Sequence, residues 1–80
     1  MRREIYFDYS KLRGKIVEKY RTQNEFAKAI NISNRAMSLK LNNLIGLSQD
    51  DIIKWCSMLD IEENQIGEYF FKIEVSKLKQ

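Results

Sequence analysis

Tyr9, Leu12, Ile16 and Tyr20 recur at helical spacing and form one apolar stripe, with Lys11, Lys15 and Lys19 off it. This pattern predicts a first helix from about Asp8 or Tyr9 to Tyr20, capped by Asp8 or Ser10. Thr22-Gln23-Asn24-Glu25 then has the form of a capping box. The Thr22 hydroxyl is expected to accept a backbone N–H while Glu25 reaches back to Thr22. Phe26, Ala27 and Ile30 are the inward positions of this second helix. Asn31 follows at the place where a helix ends in a left-handed residue, a conformation Asn tolerates better than most side chains. Ile32 is predicted to plug the corner, and Ser33 to cap a third helix. That helix is apolar inward only at Met37 and Leu41. Arg35, Ala36, Leu39 and Asn42 lie on its other side, with Asn34 and Lys40 at the edges.

Ser48 with Asp51 repeats the capping signature for a fourth helix, whose inward side is Ile52, Trp55, Cys56 and Leu59, flanked by Ile53 and Met58. Asp60 with Glu63 predicts a short fifth helix from about Ile61 to Phe70, buried through Ile66, Tyr69 and Phe70. The alternation in Phe71-Lys-Ile-Glu-Val-Ser is a strand pattern, and Glu4-Ile-Tyr-Phe is also rich in β-formers. The two ends are expected either to pair as a short antiparallel ribbon or, for the tail, to extend the fifth helix. The fold class expected is a mainly α, five-helix domain spanning residues 1–80, with short terminal strands as an option.

Composition narrows the chemistry. Eighty residues make one domain, and 44% apolar with 31% charged residues suits a globular chain. A single cysteine, Cys56, excludes an internal disulfide and a CxxC metal site, and is read as a packed thiol. The absence of histidine removes the commonest general base and zinc ligand. The three glycines form no phosphate-binding loop. The expectation is therefore no catalysis, no cofactor, no metal and no small-molecule ligand. Neither a membrane span nor a secretory signal is legible, so the chain is expected in the cytoplasm.

The net charge of +3 is unevenly spread. Ten basic and four acidic residues stand between Met1 and Leu47 (+6), against four basic and seven acidic from Ser48 to Gln80 (−3). Such asymmetry suggests a polyanion-binding face, with a solvated surface as the bland alternative.

Two helices joined through Asn31-Ile32-Ser33 have helix-turn-helix geometry. The run Thr22-Gln23, Phe26-Ala27, Ile30-Asn31-Ile32-Ser33, Ala36-Met37-Ser38, with Lys40-Leu41-Asn42 after it, resembles the helix-turn-helix of phage Cro and CI repressors, the XRE-like family. The motif covers about a quarter of the chain, and five short helices extend the resemblance over most of it. Asn31 stands where the family usually has Gly, and Ala36 and Leu39 stand where many members carry Gln or Ser.

The resemblance implies a lambda-repressor-like domain that binds a double-stranded DNA operator as a homodimer, on the bacterial nucleoid, and blocks polymerase. The third helix would enter the major groove with Asn34, Arg35, Ser38 and Leu39 as base readers. Thr22, Gln23, Ser33, Lys40, Asn42 and Asn43 would contact phosphates. Ile66, Tyr69, Phe70, Phe71, Ile73 and Val75, more apolar side chains than one short helix buries internally, would form the dimer surface. The alternative is a protein-interaction module, an antirepressor or partner-binding regulator, on the same scaffold.

Overall fold

The structure, a computed structural model, describes residues 5–74. Among these residues five α-helices form: α1 (Ser10–Tyr20), α2 (Gln23–Ala29), α3 (Asn34–Leu41), α4 (Gln49–Leu59) and α5 (Ile66–Phe70), with one 3₁₀ turn (Glu63–Gln65) leading into α5. None is long and apolar enough to cross a membrane.

The helix starts follow the caps, with two corrections. The cap position of α1 is Tyr9 rather than Asp8 or Ser10, and the Asp8 carboxylate just before it accepts both the N–H (2.9 Å) and the hydroxyl (2.6 Å) of Ser10. Those bonds, helped by Lys72, hold the Asp8 carboxyl below its usual range. Thr22 Oγ1 accepts the Glu25 N–H at 3.0 Å. The reciprocal half of that box does not form, because the Thr22 N–H donates to the Tyr20 carbonyl and the Glu25 carboxylate lies 3.7 Å from Lys28. Ser33 caps α3 through the Ala36 N–H, and Ser48 with Asp51 makes a complete box on α4.

Four helix ends turn through a non-glycine residue at positive φ, α1 at Arg21 (φ 74°) among them. Asn31 and Asn43 both sit at φ 63°, and Asp60 at φ 56°. After α2, the Ile32 N–H donates to the Ala27 carbonyl and the Asn31 N–H to Lys28. After α3, Leu44 donates to Leu39 and Asn43 to Lys40. Both are Schellman closures with Asn at the left-handed position. Because Asp60 terminates α4, it does not cap the next helix. The box that opens the following turn is Glu62 with Gln65, and α5 starts only at Ile66.

Leu12 and Ile16 of α1, Phe26 of α2, Met37 of α3, Trp55 and Leu59 of α4 and Phe70 of α5 are fully buried against one another. The Trp55 ring meets Phe26 edge-on with centroids 5.2 Å apart, and Phe70 closes on its other side at 6.3 Å. Trp55 is thus core, the favourable arrangement for large aromatics. Ile32 packs over the corner between α2 and α3.

The terminal ribbon contracts to one antiparallel bridge, Phe7 with Ile73, flanked by Asp8 N–H to Lys72 O (2.7 Å) and Glu74 N–H to Tyr6 O (2.8 Å). Glu4 and Val75 lie outside the described residues. Tyr69 and Phe70, expected on a dimer surface, are core side chains. Ile66 is partly buried, and Phe71 and Ile73 are exposed.

Part of the charge asymmetry folds onto itself. Along α1, Lys11 pairs with Glu68 and lies over the Tyr69 ring, and Lys19 reaches Asp60 at 2.7 Å. Two cations of α1 thereby pair with acids of the second half, while Lys15 lies 3.9 Å from Glu18 of its own helix.

Candidate functional site: the helix-turn-helix face

The α2–α3 unit presents a start and an end of different character. At the start of α3, Asn34 and Arg35 are exposed, and their side chains make no hydrogen bond or ion pair among the described residues. Thr22 and Ser33 are also exposed, each with its hydroxyl occupied as a cap. Ala36, Ser38 and Leu39 are half-buried. The Leu39 carbonyl takes the Leu44 N–H at 2.9 Å and the Ile45 N–H at 3.3 Å, so the loop after α3 folds back beside it.

The end of α3 is closed by internal bonds. The Lys40 ammonium lies 3.0 Å from Asp51 Oδ2, with the two side chains only 15% and 31% exposed. Burial disfavours the Asp51 charge, but the Ser48 N–H and Lys40 outweigh it and hold the carboxyl below its usual range. Asn42 donates to Ser38 Oγ at 3.2 Å. Asn43 is buried and pairs with the backbone of Phe7. Of the six side chains expected to face phosphate, Lys40 and Asn43 are therefore bonded inside the molecule. Gln23 and Asn42 are engaged as well.

The residue that engages them is Arg13, which the sequence reading did not single out. From α1 its guanidinium donates to Gln23 Oε1 (3.3 Å), the Leu41 carbonyl (2.8 Å) and Asn42 Oδ1 (3.0 Å). It ties the first residue of α2 to the last turn of α3, placing a cation where the helix dipole favours one. A signal was present: Arg13 is adjacent in sequence to buried Leu12, and a long cation beside an apolar stripe can run along the surface to a neighbouring element. Asp51 was legible only as a cap, since its contact with Lys40 depends on how α3 and α4 pack.

Apolar side chains also reach solvent after α3 and on α4. Leu44 (65% exposed) and Ile45 (40%) occupy the loop after α3, and Ile53 (67%) lies on α4.

Comparison with known proteins places this geometry. The chain is similar to the modulator of repression of the temperate bacteriophage TP901-1 from Lactococcus lactis, whose solution structure superposes with a TM-score of 0.75 at 45% identity, covering 81% of this chain and 88% of that one. That relative is a modulator of repression, where the sequence resemblance pointed to Cro and CI repressors. No curated protein matches the chain significantly. A family profile matches residues 5–73, and the chain accordingly belongs to the family described as "Protein of unknown function (DUF739)".

Proposed function

We propose that this protein is a phage regulator that modulates repression through a protein partner, and that the partner is a DNA-binding repressor. The observation that carries this reading is the 45% identity, over 81% of the chain, to a phage modulator of repression. The helix-turn-helix face supports it. The donor groups of Lys40, Asn42 and Asn43, which a DNA binder would turn toward phosphate, are bonded within the molecule. Exposed Leu44, Ile45 and Ile53 offer apolar surface that a protein partner would bury. The reading involves no catalysis and no cofactor.

A second reading, direct operator binding as a repressor, is favoured by Asn34 and Arg35, which stand exposed at the start of α3 where a recognition helix meets bases. It would need a two-fold dimer, for which Phe71 and Ile73 are the exposed members of the expected surface.

The test mixes the full chain with the purified repressor of a phage that encodes both, and follows complex mass by light scattering without DNA. A discrete complex of the two proteins is expected. No complex, together with a shift of operator DNA by this chain alone that Arg35→Ala abolishes, would replace the first reading by the second.

A further inference from the structure

Lys40 stands in the last turn of α3, and its ammonium is taken by one particular carboxylate. Asp51 is not free to leave. Its Oδ2 also accepts the Ser48 N–H at 3.1 Å, and Ser48 Oγ accepts the Asp51 N–H at 3.0 Å, so the capping box of α4 fixes the carboxylate in place. A pair with side chains 15% and 31% exposed is screened less by salt and water than a fully exposed one. To reach a phosphate, Lys40 would have to leave a fixed anion, and the phosphate would have to approach that anion. Across the same face, Arg13 donates to Gln23 Oε1 and Asn42 Oδ1, and Asn42 Nδ2 donates to Ser38 Oγ.

We propose that Asp51 is a specificity-determining residue of the helix-turn-helix face: by holding Lys40 it excludes nucleic-acid phosphate and leaves the face to a protein partner. This rests on the protein-partner reading above and adds the residue that enforces it. Asp50, the next residue in the same first turn of α4, is exposed and has no such contact among the described residues. It provides a control with the same change in net charge.

The experiment measures fluorescence anisotropy of the full chain with a labelled random-sequence DNA duplex, at about 50 and about 200 mM salt, the range over which phosphate contacts are diagnostic. The wild-type chain should bind weakly. Asp51→Asn, which keeps an oxygen for the Ser48 N–H, should tighten binding about fivefold at the lower salt and steepen the log–log salt slope by about 0.9, the value for one added phosphate contact. Asp50→Asn should leave the slope unchanged. Adding Lys40→Ala to Asp51→Asn should remove the gain. Asp51→Ser, which keeps a hydroxyl at the cap, repeats the test if Asp51→Asn fails to fold. Equal behaviour of the Asp51 and Asp50 variants, or a gain that survives loss of Lys40, would overturn the proposal while leaving the protein-partner reading intact. Tight wild-type binding to one selected sequence would instead overturn that reading itself.

Discussion

Asn43 stands in for a strand beside Phe7. Its Oδ1 accepts the Phe7 N–H at 2.8 Å and its Nδ2 donates to the Phe7 carbonyl at 2.9 Å. In the bridge between Phe7 and Ile73 the flanking residues exchange the backbone bonds, so the Phe7 peptide groups point away from residues 72–74 and toward Asn43. One side chain thus ties the end of α3 to the N-terminal segment. It also holds the left-handed position that closes α3. Asn43→Gly keeps the backbone and loses the bonds. A cost of about 1–3 kcal/mol is expected from losing the two Asn43 bonds to the Phe7 backbone. Asn43→Ala loses the same bonds and adds about 1–2 kcal/mol for an alanine at positive φ. Urea unfolding of both should rank wild type above Gly and Gly above Ala. Equal stabilities of the two variants would remove the backbone part of the argument.

Asn31 separates the same two effects differently, because its role in closing α2 rests on φ 63° and on its backbone N–H. Asn31→Gly should therefore be neutral or slightly stabilising, whereas Asn31→Ala should cost about 1–2 kcal/mol. Thermal unfolding decides the order. A stable alanine variant would mean that the turn can rearrange.

The helix-turn-helix was legible because its signals are local. Thr22, Ser33 and Ser48 cap within three residues of themselves, and Asn31 closes the turn with its own backbone. The site's bonding was not legible for the opposite reason. Arg13 to Leu41, Lys40 to Asp51 and Asn43 to Phe7 join segments whose relative placement depends on packing α1, α3 and α4 around Trp55. Helix 5 was overextended because Asp60 and Glu63 satisfy the capping spacing. The left-handed turn at Asp60, closed by the Ile61 N–H on the Cys56 carbonyl, took that residue for the end of α4. Tyr69 and Phe70 were read both as the buried side of the fifth helix and as part of a dimer surface, and they lie in the core.

Phe70 and Phe71 are neighbours with opposite environments, 1% and 50% exposed. Phe70→Ala should cost about 3–5 kcal/mol, as for a large aromatic deleted from a core. Phe71 is half exposed and meets Phe7 edge-on, centroids 5.9 Å apart, so Phe71→Ala should cost about 0.5–1.5 kcal/mol. Denaturant midpoints measured on dilute protein test this. A strong concentration dependence lost on Phe71→Ala would instead reveal an association surface at this residue.

Acid should weaken the fold through Asp8, Asp51 and Asp60, whose carboxyls are all held below their ordinary value of 3.8. A carboxyl whose folded-state pKa is depressed stabilises the fold fully above its unfolded value, and that stabilisation is lost as pH falls through the folded value. Stability should therefore hold down to about pH 4 and then decline. The three groups differ in surroundings. Asp60 gains its shift from exposed Lys19, and a pair of that kind is screened by salt. Asp51 sits in a half-buried pair tied to the Ser48 cap. Unfolding free energies measured from pH 7 to pH 2, at about 0.1 and about 1 M salt, separate them, because screening at the higher salt acts over only a few ångströms. Asp51→Asn should flatten the acid decline at both salt concentrations, and Asp60→Asn only at the lower one. If Asp51→Asn loses its effect at high salt, the Lys40 pair is as open to solvent as the Lys19 pair, and the closed end of α3 is not maintained in solution.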